Sequence, residues 1–139
     1  VIQLDSHDLP DECLRTASAL VTVSRDILRE VADASRNPAE TPNASFVLAE
    51  RLAAAIAGAA AVHVYLAYAG TVDSPLWQGA LWLRLALPRA LAGADPAAPP
   101  SGPAADHDAA IAALETLNSA DRGFSVLADV TDGETGDRV

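Results

Sequence analysis

What this chain lacks narrows its function before any motif is sought. It has no methionine, no lysine and a single cysteine, and Trp, Tyr and Phe occur only twice each in 139 residues. One cysteine, Cys13, excludes an intramolecular disulfide. With no histidine or basic cluster nearby, it reads as a small apolar side chain in a helix rather than a reactive thiol. All nine basic residues are arginine, set against nineteen Asp and Glu, for a net charge of -10. That balance opposes phosphate backbones and anionic lipid heads alike, so nucleic acid is not an expected partner. Glycine-rich phosphate loops, CxxC pairs, HExxH and nucleophile elbows are absent, and no alternating run is long enough for a sheet strand apart from "VIQL" at the start. No residue is assigned as catalytic, cofactor-binding or metal-binding. A first residue of Val1 with no methionine anywhere leads to the expectation of a domain excised from a longer protein. One cysteine gives no disulfide framework and no signal peptide is visible, and the expected location is cytoplasmic.

What the chain does contain is helical periodicity and proline punctuation. Half of the residues are apolar, enough for one globular domain with a hydrophobic core over residues 1–127, followed by an acidic, glycine-rich tail over 128–139 that is expected to be mobile. The expected fold is all-α, a four-helix bundle with helices at about 9–36, 42–69, 75–92 and 106–122 and a Pro/Ala-rich connector, "GADPAAPPSGPAA", at 93–105.

In the first helix Pro10 suits the opening turn, Asp8 or Leu9 caps it, and Asp11 and Glu12 complement the dipole. Leu14, Ala17, Val21, Ser24, Leu28 and Val31 recur at steps of three and four and form the expected buried stripe, with Arg15, Arg25, Asp26, Arg29, Glu30 and Asp33 on a solvated face. The second helix is capped by Thr41 with Pro42 in its first turn. The third opens on Ser74 and Pro75 and buries Leu76, Ala80, Leu83 and Leu87, with Trp77, Leu81 and Trp82 widening the row. Pro88 is expected to kink or end it, with Leu91 and Gly93 closing it. The fourth is capped by Asp106 and buries Ala110, Ile111, Leu114 and Leu117, after which "FSVL" could dock on the bundle. The two tryptophans read as core or interface anchors rather than a ligand platform.

The second helix carries "LAAAIAGAAAVHVYLAYA", Leu52 to Ala69, with no fixed charge. Eighteen residues at 1.5 Å each reach about 27 Å, close to the hydrocarbon thickness of a bilayer. Half of the stretch is alanine, which contributes little transfer energy, and His63 would lie well inside the bilayer at a cost of a few kcal/mol. The expectation is therefore not a membrane span but a central helix covered by protein on nearly all sides, with Ala57 and Ala61 protected. Ala54, Gly58 and Ala61 form a small-residue strip for close approach of a neighbouring backbone. His63 has no second ligand at i+3 or i+4 and is expected to be a core or interface histidine.

Three stretches carry a resemblance: "FVLAERLAAAIAGAAAVHVYL", "SPLWQGALWLRLALPRAL" and "DRGFSVL", together spanning most of Phe46 to Leu127. This region resembles the C-terminal helical region of bacterial acyl-CoA dehydrogenases, especially the long actinobacterial members. The resemblance implies a parent flavoprotein that binds FAD and oxidises an acyl-CoA thioester, with a glutamate abstracting the α proton. That base commonly sits in a Tyr-Glu-Gly-Thr turn. The nearest match here, Tyr68-Ala69-Gly70-Thr71, has alanine at the position of the base. The family's FAD-contacting arginine and Phe-Gly pair are not found either. The resemblance thus implies an additional bundle that binds no FAD by itself and serves packing, oligomerisation or shaping of the acyl entrance. Its partners would be the rest of the parent chain and a second subunit. Two other classes stay open: the all-α ligand-binding and dimerisation domain of a transcriptional regulator, and a free-standing helical interaction module.

Overall fold

A computed structural model describes residues 9–36, 42–99 and 102–120. Among them lie four helices, α1 (Asp11–Arg36), α2 (Pro42–Tyr68), α3 (Leu81–Ala94) and α4 (Ala104–Ser119), with a single 3-10 turn, Gln78–Ala80, leading into α3 and no strand. The fold is all-α, as the periodicity predicts. Helices α1, α2 and α3 each pack against the other two, and α4 packs on α3. The expected roles of Asp8, Thr41, "VIQL", "FSVL" and the 128–139 tail lie outside the described residues.

Helix α1 begins after Pro10, whose carbonyl accepts the Leu14 N–H at 3.0 Å, and Asp11 and Glu12 place negative charge in its first turn. Its buried row is Cys13, Leu20 and Ile27, while Val21 is 50% and Leu28 55% exposed. This corrects the expected stripe by one position. Both rows repeat every seven residues and both flank Ala17, Ser24 and Val31, so spacing alone fits either. The choice is made by shape: Leu20 lies where Gly58 of α2 leaves room for it. Ser24, half-buried beside this row, is satisfied by donating to the Leu20 carbonyl at 2.7 Å.

Helix α2 approaches both neighbours through the predicted small residues. A Cβ placed on Gly58 would fall inside the envelope of Leu20 Cδ2 and 2.9 Å from Ala90 Cβ, and one on Gly93 of α3 would lie 2.8 Å from Ala54 Cβ. Arg51 holds this end together. Its Nε donates to the Ala94 carbonyl at the end of α3 at 2.9 Å, and its Nη1 reaches Glu30 of α1 at 2.7 Å. The expectation that α2 is enclosed on nearly all sides is wrong. Ala55, Gly58, Val62 and Tyr65 are buried, but Ala57 is exposed and Ala61 only half-buried. The physical reason is the position of α4, which packs on α3 and leaves the far side of α2 uncovered.

The third helix also differs from its expected start. Ser74 is buried, and its carbonyl accepts the Trp77 N–H at 2.9 Å in a turn rather than a helix cap. Gly79 (φ 58°) and Ala80 (φ 56°) are both left-handed, so α3 proper begins at Leu81. The bend turns Trp77 back onto α2, where it stacks on Tyr65 at 5.6 Å between ring centroids. Pro88 does not end α3, which continues to Ala94. The proline removes the donor that would bond the Arg84 carbonyl. The chain leading to α4 passes over that carbonyl, and a Cβ on Gly102 would lie 3.2 Å from it.

Helix α4 starts at Ala104 with Pro103 at its cap position, not at Asp106. Ala110, Ala113 and Leu117 are buried, and Ile111, expected inside, is 57% exposed. Asp106, freed from capping, lies in the first turn of α4 and is buried against α3 as part of the Arg84 cluster described below.

Candidate interaction surface

Three features of the bundle could support function: a charged cleft at Arg84, an aromatic cluster, and the uncovered side of α2. In the first, Arg84 of α3 gathers two carboxylates. Its Nε lies 2.9 Å from Glu12 Oε1 and 3.0 Å from Asp106 Oδ2, and its Nη2 bonds Asp106 Oδ1. Asp106 is nearly fully buried, so the guanidinium fork supplies its compensating charge. Cys13 lines the adjacent cleft with Thr16, Leu87 and Pro103. Burial pushes the Cys13 thiol up to about 11, with Glu12 adding to the shift and Arg84 opposing it. Such a thiol is almost wholly protonated at neutral pH, in keeping with its expected role as an inert apolar group. At about 230 Å³ the cleft is smaller than typical small-molecule sites, and its cation is already paired with two carboxylates.

The second feature joins Trp77 and Trp82 to Tyr65 and Tyr68. The two indoles meet edge to face at 5.4 Å, and Tyr68 meets Trp77 edge-on at 6.4 Å. Tyr65 and Trp77 are buried and Trp82 packs against them, so these three rings are core anchors rather than a platform open to a ligand, while Tyr68 is 44% exposed at the edge of the cluster. Trp82 Nε1 is buried with no hydrogen-bond partner among the described residues.

The Tyr68-Ala69-Gly70-Thr71 segment has a structural role of its own. The Ala69 N–H donates to the Tyr65 carbonyl at 2.7 Å, and both the N–H and the hydroxyl of Thr71 donate to the Tyr68 carbonyl. Gly70 is left-handed at φ 80°. The segment closes α2 as a C-terminal cap, which explains its glycine and threonine without catalysis.

The third feature is the largest. Along α2 the outward line Phe46, Glu50, Ala53, Ala57, Ala60, Val64 and Ala67 is exposed throughout. Phe46 is 71% exposed, and Ile56, beside the line, 61%. His63 is exposed too, not in the core, and lies about a quarter-turn round α2 from this line. Ala44–Tyr68 is long and apolar enough to cross a membrane, yet most of it is unburied by the bundle itself. A contiguous apolar face of this kind marks an interaction site. The sequence concealed it because an all-round apolar helix ordinarily signals full burial. The signal available was the pair Glu50-Arg51: adjacent residues 100° apart on a helix, one turned to the core junction and one to solvent.

Arg84 and Asp106 were likewise not singled out as a pair from sequence. The visible clues were one arginine inside the apolar run "LWLRLAL" and an aspartate opening the next helix, but nothing in their spacing joins them. Among the described residues no group of three His, Cys, Asp or Glu is placed to hold a metal. Comparison with protein-family models, with curated proteins and with solved structures finds no match to this chain.

Proposed function

We propose that this chain is a helical assembly domain, the C-terminal helical part of a larger acyl-CoA dehydrogenase-like flavoprotein, contributing packing and subunit contact rather than chemistry. The observation that carries the assembly role is the outer face of α2, uncovered over six turns and apolar along its line but for Glu50. Exposing such a face in a stable protein is unfavourable by about 25 cal/mol per Å² of apolar surface, so covering it is a driving force for association. The flavoprotein parent rests on the resemblance of the three sequence stretches alone. In that reading FAD and acyl-CoA are bound by the parent, this domain binds neither, and the location is cytoplasmic.

The absorption spectrum of the full-length gene product tests the parentage. A flavin band retained through purification and bleached by an acyl-CoA thioester is the expected result, and a colourless full-length protein overturns it. A free-standing helical interaction module, the second reading, is favoured by the same uncovered face. It predicts that colourless protein together with a bound partner at α2.

A further inference from the structure

We infer that α4 is a latch that opens from the other three helices as a unit, with the Arg84–Asp106 ion pair as its catch and the cleft at Cys13 as what it uncovers. The inference is independent of the assembly reading. Helices α1, α2 and α3 each pack against the other two, whereas α4 packs on α3. Its apolar contribution is small: Ala110, Ala113 and Leu117 are its buried apolar side chains, with Leu114 partly buried. The three-helix part holds the fully buried Ile27, Leu83 and Leu87. Elements with few buried apolar contacts open locally, ahead of global unfolding.

What α4 has instead is one buried charge. Asp106 is 3% exposed, and both of its carboxylate oxygens are taken by the Arg84 guanidinium. A pair of this geometry breaks as a whole, since losing one partner leaves a buried charge uncompensated. The helix has little independent means of persisting once released. Pro103 at its cap position supplies no side-chain cap, and a helix of 16 residues is marginal alone in water. Release therefore melts α4 as well as detaching it.

The open state is tolerated because both ions are satisfied there. Asp106 passes into water, and the part-exposed Arg84 keeps Glu12 of α1, whose Oε1 lies 2.9 Å from Nε. Glu12 Oε1 and Asp106 Oδ2 approach that same Nε, so the two carboxylates compete for one guanidinium. Closure also sets their negative charges side by side, a repulsion that opening relieves. The two carboxylates therefore act in opposite directions: Asp106 closes the latch, and Glu12 favours its opening. Cys13 lies beside Glu12 in the cleft that Arg84 and Pro103 help to line, so departure of α4 removes part of one wall. Its thiol reports the opening.

Hydrogen exchange of the 139-residue chain, read peptide by peptide by mass spectrometry, tests the latch. Amides of 104–119 should exchange about tenfold faster than those of 52–65 in α2. Asp106→Asn should speed 104–119 by about a further tenfold and leave 52–65 within about twofold. Glu12→Gln should slow 104–119, the reverse of what losing a merely structural contact would do. Labelling of Cys13 by a disulfide reagent, relative to its rate in urea, should rise in Asp106→Asn and fall in Glu12→Gln along with 104–119. Four outcomes overturn the inference: equal acceleration of α2 and α4 in Asp106→Asn, which would make the bundle one cooperative unit; no acceleration of α4 in that variant; faster α4 exchange in Glu12→Gln; or Cys13 labelling that does not follow α4.

Discussion

Replacing Gly58 with leucine tests the packing of α2 at its tightest point. A glycine in mid-helix is less favourable than leucine by about 0.8 kcal/mol, so propensity alone predicts a more stable variant. The structure predicts the reverse. The added Cβ would overlap Leu20 Cδ2 and stand 2.9 Å from Ala90 Cβ. Leu20 ends in a flexible branch that can rotate away. Ala90 has no such freedom, because its Cβ is fixed to the backbone of α3. Accommodating even one carbon therefore requires α2 and α3 to separate, and leucine adds three more. Overpacking of this kind costs about 1–3 kcal/mol, with the upper end apt where backbone must move. Net of propensity, a loss of about 2 kcal/mol is expected, which for a chain of this size lowers Tm by about 4–8 °C. Thermal melts by far-UV circular dichroism read it directly, with Ala57→Leu on the exposed side of α2 as a control expected to leave the monomer's stability within about 0.5 kcal/mol. A Gly58→Leu variant as stable as the parent, or a control that falls as far, would refute the packing described here.

Three further outcomes are expected. Asp106→Ala should lower stability by about 2 kcal/mol in denaturant titrations, less than the 3–5 typical of a broken buried pair because Arg84 keeps Glu12; an unchanged midpoint would mean that the Arg84 cluster does not hold α4 to α3. The Cys13 thiol, raised to about 11, should react with a disulfide reagent at pH 8 far more slowly than in urea, since only about one molecule in a thousand is thiolate. Because its folded value lies above that of a free thiol, its contribution to stability is complete below about pH 8.5 and is lost as pH rises through about 11; rapid labelling of the folded chain would contradict the burial. Ala80→Gly should be close to neutral, since relief of the left-handed backbone, about 1 kcal/mol, offsets the loss of one buried methyl, about 0.8; Ala80→Val, β-branched at positive φ, should cost at least 2 kcal/mol in the same melt.

The helices themselves were legible from local chemistry. Pro10 and Pro42 fix where α1 and α2 begin, and runs of helix formers carry them onward. The close approach at Ala54 and Gly58 was legible too, because only small residues permit it. Rotation was not. In α1 the rows Cys13-Leu20-Ile27 and Leu14-Val21-Leu28 have equal periodicity, and a neighbouring glycine decides between them. The break before α3 was hidden because Ser74-Pro75 is a sound helix opening by itself, and only the stacking of Trp77 on Tyr65 shows why the chain bends at Gly79. At the candidate surface, the apolar character of α2 was plain, but its exposure depends on where α4 packs, and that is set by long-range contacts such as Arg84 to Asp106. A residue pair 22 positions apart leaves no trace in periodicity.

The central claim is that the outer face of α2 is an interface between protein surfaces. Its most direct test is thiol labelling in a Cys13→Ala background, comparing Ala60→Cys on that face with Ala109→Cys on the exposed side of α4, in the isolated chain and in the full-length protein. The rate at position 60 should be lower in the full-length protein than in the isolated chain, while the rate at position 109 is the same in both. A rate at position 60 that is equal in the two would contradict it.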